Sequence, residues 1–259
     1  LVGSRRDRGG RLTMANYTCG LDLGQVNDWS ALVVAEHCLK ADGQEERVRN
    51  TDWGPTTDMV PRWRDCFDVV GILRWRGTAY PAIVDEVCLL LTELPLRGRC
   101  SLVVDATGVG RPVLDLFDQA TRENRLDFWS DEVTLTGGEK EGERGRTVPK
   151  FEIVRSVEVL LQTKRLRVVP TIPLADVLRA ELENFRATVT LTGRVRLEAE
   201  GTGHDDIVMA LAMAVWKPKW TGSPRRRLQD GTLYDPDQNV VGGEVLNLPG
   251  PPRRQEVTG

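Results

Sequence analysis

Along this chain the hydrophobic pattern is alternately strand-like and helical. Tyr17 to Leu23 and Ser30 to Cys38 are short β-prone runs. They are separated by Gly24-Gln25-Val26-Asn27-Asp28, a turn-rich link that predicts a hairpin. Asp68 to Arg76 reads as a third strand with a polar end. Pro81 to Leu94 reads as a helix, with Pro in its first turn and apolar residues at Ile83, Val84, Val87, Leu90, Leu91 and Leu94. Ser101 to Val104 is a buried-type strand ending at Asp105. A helix over 111–122 follows, then a strand over 132–135 and helices over 149–164 and 174–185. Val189-Thr190-Leu191 and Val195-Arg196-Leu197 flank a turn at Thr192-Gly193, and a final helix covers 205–216. Antiparallel strands first, then strand–helix alternation, then a closing helix predict a mixed α/β sheet with helices on both faces.

The ends carry no such pattern. Residues 1–17 are rich in Gly and Arg, and we expect a flexible leader there. Residues 218–259 contain Pro218, Pro224, Pro236 and Pro249-Gly250-Pro251-Pro252, the basic run Arg225-Arg226-Arg227 and few apolar positions. That segment buries too little to offset its ordering entropy, so a flexible tail is expected. The folded domain is expected over 18–217.

Composition narrows the function classes. Of 259 residues, 40% are hydrophobic and 28% charged, a globular balance. The longest apolar run, Ile207 to Trp216, is shorter than the ~20 residues of a membrane span. Nothing at the start reads as a signal peptide. Five cysteines, scattered and without a Cys-x-x-Cys pair, argue against a disulfide framework or a zinc ribbon, and suit a reducing cytoplasm. A formal net charge of −3 provides no bulk attraction to nucleic acid, so such binding must rest on local patches. The lysines follow Leu39, Glu139, Pro149, Thr163, Trp216 and Pro218, never Gly, so a P-loop is absent. With His37 and His204 alone, histidine-rich mechanisms are poorly supplied.

Acidic residues mark the chemistry. Asp22 lies inside a hydrophobic strand, Asp105 ends one before the Gly-rich Ala106-Thr107-Gly108-Val109-Gly110, and Asp205 and Asp206 open the last helix. A lone buried carboxylate is costly, and carboxylates from separate elements compensate together by binding a divalent cation. Plainer roles compete: Asp105 as a turn residue, Asp205 as a helix cap, His204 as a hydrogen-bonding loop residue. Asp22 has no such role, because Asp is disfavoured within strands.

Gly20-Leu21-Asp22-Leu23-Gly24, Val103-Val104-Asp105-Ala106-Thr107-Gly108-Val109-Gly110 and Gly203-His204-Asp205-Asp206-Ile207-Val208-Met209-Ala210-Leu211-Ala212 resemble, in order, three motifs of phage large terminase nuclease domains. These domains belong to the RNase H-like (RuvC-like) superfamily, and the resemblance runs from about Tyr17 to Trp216. It implies an RNase H-like mixed sheet with an antiparallel meander of strands 1, 2 and 3. It also implies a metal-dependent endonuclease acting on double-stranded DNA, without the ATPase motor of whole large terminases. Asp22, Asp105, Asp206 and Asp205 would hold two Mg²⁺ or Mn²⁺ ions, with Asp22 bridging both. Asp206 is expected as a principal ligand and Asp205 as the cap of Ile207 or Val208. Related resolvases often carry an acidic residue where Met209 stands.

Arg144, Arg146 and Lys150, on a Gly-rich basic loop entering a helix, are the candidate DNA contacts. A portal protein, a small terminase subunit and a separate motor are the further partners implied, in a host cytoplasm. Rival readings are a Holliday-junction-type resolvase, an actin-like ATP-binding protein and a catalytically silent packaging module.

Overall fold

The computed structural model describes residues 17–25, 28–51, 54–93, 96–105, 107, 111–126, 130–136, 147–189, 195–199, 204–216, 225–227, 233–235 and 238–241. The elements in chain order are β1 (Tyr17–Asp22), β2 (Trp29–Thr51), β3 (Gly54–Arg76), α1 (Tyr80–Thr92), β4 (Cys100–Asp105), α2 (Arg111–Arg122), β5 (Asp131–Thr136), β6 (Thr147–Pro149), α3 (Lys150–Gln162), β7 (Leu166–Val168), α4 (Ala175–Asn184), β8 (Phe185–Val189), β9 (Val195–Ala199), α5 (Asp206–Val215), β10 (Arg225–Arg227), β11 (Leu233–Asp235) and β12 (Gln238–Val241).

β1, β2 and β3 form the expected antiparallel meander, and β1, β4, β5 and β6 continue in parallel. β7 lies parallel to β3 on the far side. Beyond the reach of β1, Cys38–Lys40 of β2 pair in parallel with β10, which leads on to β11 and β12. β8 and β9 form a separate antiparallel pair. No helix among the described residues is long and apolar enough to cross a membrane.

Strand alternation divides the core into two layers. Cys19, Leu21, Leu32, Val34, Leu102 and Val104 face α1 and α2, packing on Ile83, Val87, Leu91, Val113 and Phe117. Ala31, Val33, Ala35, Val69, Ile72 and Val103 face α3, α4 and α5. Every residue from Asp206 to Val215 is buried, because α3 and α4 cover the side turned away from the sheet.

Two expectations need correction. β2 and β3 run well past the predicted strands, as one hairpin paired from Trp29↔Arg76 to Thr51↔Gly54. Its outer part, beyond Lys40 and Arg64, is a two-stranded arm with polar exposed positions such as Asp42, Gln44, Glu46 and Thr56, so no buried face imposes alternation on the sequence. At the base of this hairpin Cys38 stands directly opposite Cys66, with Cα atoms 5.3 Å apart, and the two form a disulfide. The scattered spacing concealed this pair, since the 28-residue separation is bridged by strand register. Cys19, Cys88 and Cys100 are buried and stand outside this disulfide, so the cysteines alone do not identify a reducing compartment.

Candidate metal centre

Glycine brings the acidic residues together. Gly20 faces α5 so closely that a Cβ there would lie 2.0 Å from the Ala210 carbonyl oxygen and 2.6 Å from the Ala214 nitrogen. Only a residue without a side chain admits the helix to this distance, and the alanines of α5 complete the fit. Asp22 lies two residues beyond Gly20 on the same face of β1, and Asp206 lies one helical turn before Ala210. The parallel register pairs Leu21 with Val104, which sets Asp105 beside Asp22 on the same face. At Gly24 a Cβ would meet the Trp29 carbonyl oxygen at 2.2 Å, so the link after β1 is equally tight. Both glycines of Gly20-Leu21-Asp22-Leu23-Gly24 therefore have a steric reason.

The Asp22 side chain keeps some exposed surface but lies deep among protein atoms. Burial first, then the charges of Asp105, Asp205 and Asp206, push its carboxyl well above the usual carboxylate range, while Lys150 pulls it back. No donor among the described residues hydrogen-bonds it. Asp105 is 8% exposed and is also raised, mainly by burial. Its Oδ1 accepts the Thr107 N–H at 2.7 Å, so Asp105 also performs the turn role open to it from sequence.

The two acidic residues at the start of α5 are paired differently from the expectation. Asp206 is 6% exposed, and both its oxygens are held by Arg74, with Nε–Oδ2 2.7 Å and Nη2–Oδ1 2.6 Å. Asp205 occupies the N-cap position, yet its side chain makes no capping hydrogen bond. Lys150, the first residue of α3, binds it instead, with Nζ–Oδ2 3.0 Å. The cap comes from α4. Glu181 Oε2 accepts the N–H groups of Ile207 at 3.0 Å and Val208 at 3.3 Å, while Oε1 lies 3.1 Å from Arg74 Nη2. Burial and the nearby Asp206 push the Glu181 carboxyl up to about 7, against the opposing pull of Arg74.

Arg74 and Glu181 went unnoticed in the sequence. Both sit in segments where charged residues are common, and only their burial sets them apart. Trp29 stacks beneath the Arg74 guanidinium, 4.3 Å from its centre, and the exposed His204 meets the Trp29 ring edge-on. Arg144, Arg146 and the Gly-rich turn at 108–110 lie outside the described residues.

Among the described residues the donor set fits a hard divalent cation: several carboxylates, no thiolate, and one carboxylate without a hydrogen-bond donor. Among the described residues, no three His, Cys, Asp or Glu side chains enclose an ion as they stand. Arg74 and Lys150 hold two of the carboxylates by ion pairs.

This is an RNase H-like fold, of the kind found in large terminase nuclease domains. The nuclease domain of thermophilic phage G20c with bound magnesium matches at a TM-score of 0.50 and 20% identity, over 79% of this chain and 82% of that one. The same domain with bound cobalt matches at 0.50 and 21%, over 77% and 79%. The sequence is similar to the large terminase subunit of Thermus phage G20c, 25% identical over 214 residues. Those residues make up 80% of this chain and 34% of the relative, so the chain spans about a third of that protein's length. No family profile matches the chain.

Proposed function

We propose that this chain is a metal-dependent endonuclease cleaving double-stranded DNA, with the role of the nuclease part of a phage packaging terminase. The observation carrying this reading is Asp22: a carboxylate deep in the first strand, close to three others, with no hydrogen-bond donor among the described residues. A cluster so arranged is unfavourable without cations and repels a phosphodiester. In our reading Asp22, Asp105 and Asp205 would hold divalent Mg²⁺ or Mn²⁺. When bound, two such ions would supply activation of the attacking water and stabilisation of the leaving 3′ oxygen. Asp205 is favoured over Asp206 because its partner is a single half-buried lysine, whereas both oxygens of Asp206 are occupied by a buried fork. This reverses the order expected from helix position alone.

Lys150, released from Asp205, is placed at a helix N-terminus to accept the DNA backbone, with Arg144 and Arg146 as further contacts. No protein nucleophile is needed, consistent with the scarcity of histidine. We take 18–217 as the nuclease unit and a portal protein, small terminase subunit and ATPase motor as the partners. The test is cleavage of linear, supercoiled and four-way DNA with Mn²⁺, Mg²⁺ or excess EDTA. Cleavage of linear and supercoiled duplex only with metal is expected. Cleavage undiminished in EDTA refutes the metal mechanism, and action confined to the four-way substrate identifies a resolvase.

A further inference from the structure

We infer that Arg74 and Glu181 are positioning residues, a buried frame that orients the acidic start of α5 so that Asp205 turns toward Asp22. This rests on the nuclease reading above. The N-terminus of α5 presents free N–H groups that a side chain at the N-cap ordinarily satisfies. Were Asp205 that cap, its oxygens would turn back toward its own helix. Here Glu181 takes the task from a neighbouring helix, through Ile207 and Val208, and Asp205 faces the site instead.

Arg74 then ties the cap to the site. Its guanidinium binds both oxygens of Asp206, reaches Glu181 with Nη2, and lies over the Trp29 ring, 4.3 Å from its centroid. The Arg74 and Glu181 side chains are only 11% and 7% exposed, so this is a low-mobility interior linkage rather than a surface pair. Strand β3, helix α4 and helix α5 meet at one planar cation. The fork geometry matters as well as the charge, since lysine cannot bind two oxygens in plane while stacking on an aromatic face. Asp206 is therefore the anchor of α5, and Asp205 its working carboxylate.

The experiment compares the full chain with Arg74→Lys and Glu181→Gln, at a temperature where each is fully folded. The readouts are the Mn²⁺ concentration giving half of the thermal-shift response, and kcat and KM for duplex cleavage. Supporting side chains around metal ligands are worth about 10–100-fold in metal affinity or activity. Arg74→Lys is expected to need about tenfold more Mn²⁺ and to lose kcat with KM for DNA unchanged. Glu181→Gln keeps an acceptor for the two N–H groups, and is expected to fold and to lie between Arg74→Lys and the parent. An unchanged or lower Mn²⁺ midpoint in both variants overturns the frame, a lower one marking Arg74 as a competing cation. A parent chain with neither Mn²⁺ response nor cleavage refutes the nuclease reading, and the frame with it.

Discussion

Replacing Asp22 by Asn tests the electrostatic account most directly. The substitution keeps the side-chain shape and removes one charge from a position opposed by burial and by Asp105, Asp205 and Asp206. Relief of a buried, uncompensated polar or charged group is worth about 1–3 kcal/mol in mutational data. For a domain of this size each kcal/mol moves Tm by roughly 2–4 °C. In EDTA, Asp22→Asn is therefore expected to melt roughly 2–12 °C above the parent chain. A cation at one hundred times its Kd stabilises the parent by about 2.7 kcal/mol, so the order reverses or closes when Mn²⁺ is added. The variant itself is expected to show almost no Mn²⁺ response and cleavage reduced by orders of magnitude. The assay is a set of paired thermal melts, with and without Mn²⁺, beside a plasmid-nicking time course. The reasoning fails if Asp22→Asn melts below the parent in EDTA, or if Mn²⁺ raises both melting temperatures equally.

Asp205→Asn is expected to abolish cleavage with little change in Tm, while Asp206→Asn unseats Arg74, lowers stability by about 1–3 kcal/mol and leaves measurable turnover. A parallel nuclease and melting comparison decides between this order and its reverse. Gly20→Ala drives a Cβ into the backbone of α5, which has no flexible end to yield. We expect a loss of about 3 kcal/mol or more, visible as a lowered Tm or as insoluble protein, and an unchanged Tm contradicts the packing argument. The pH dependence of the metal-free chain should carry an inverted component. Glu181 is raised from 4.5 to about 7, and Asp22 and Asp105 are raised too, so the folded state holds protons that the unfolded chain releases. Stability from Glu181 is then present below pH 4.5 and lost as pH climbs to about 7, by at most about 3 kcal/mol. Chemical denaturation in EDTA at pH 5 and pH 8 checks the sign, and Glu181→Gln should flatten the difference.

What the sequence by itself determined is the set of elements with a buried face and the residues that break the pattern. The meander of β1, β2 and β3, the strand ending at Asp105 and the helices α1 to α5 all announce themselves through hydrophobic period. Asp22 announces itself by violating that period. Tertiary structure alone decided matters that depend on partners distant in the chain. The outer hairpin arm is an exposed ribbon that leaves no hydrophobic trace, and the buried Cys38–Cys66 pair follows from strand register. The capping of α5 passed from Asp205 to Glu181, 26 residues before the Ile207 it caps, and the pairing of Asp206 passed to Arg74, 132 residues away. A helix-start rule considers only neighbours along the chain, so it assigns the cap to Asp205. In the fold, a buried acid on α4 reaches the same N–H groups, and a buried arginine on β3 satisfies what remains.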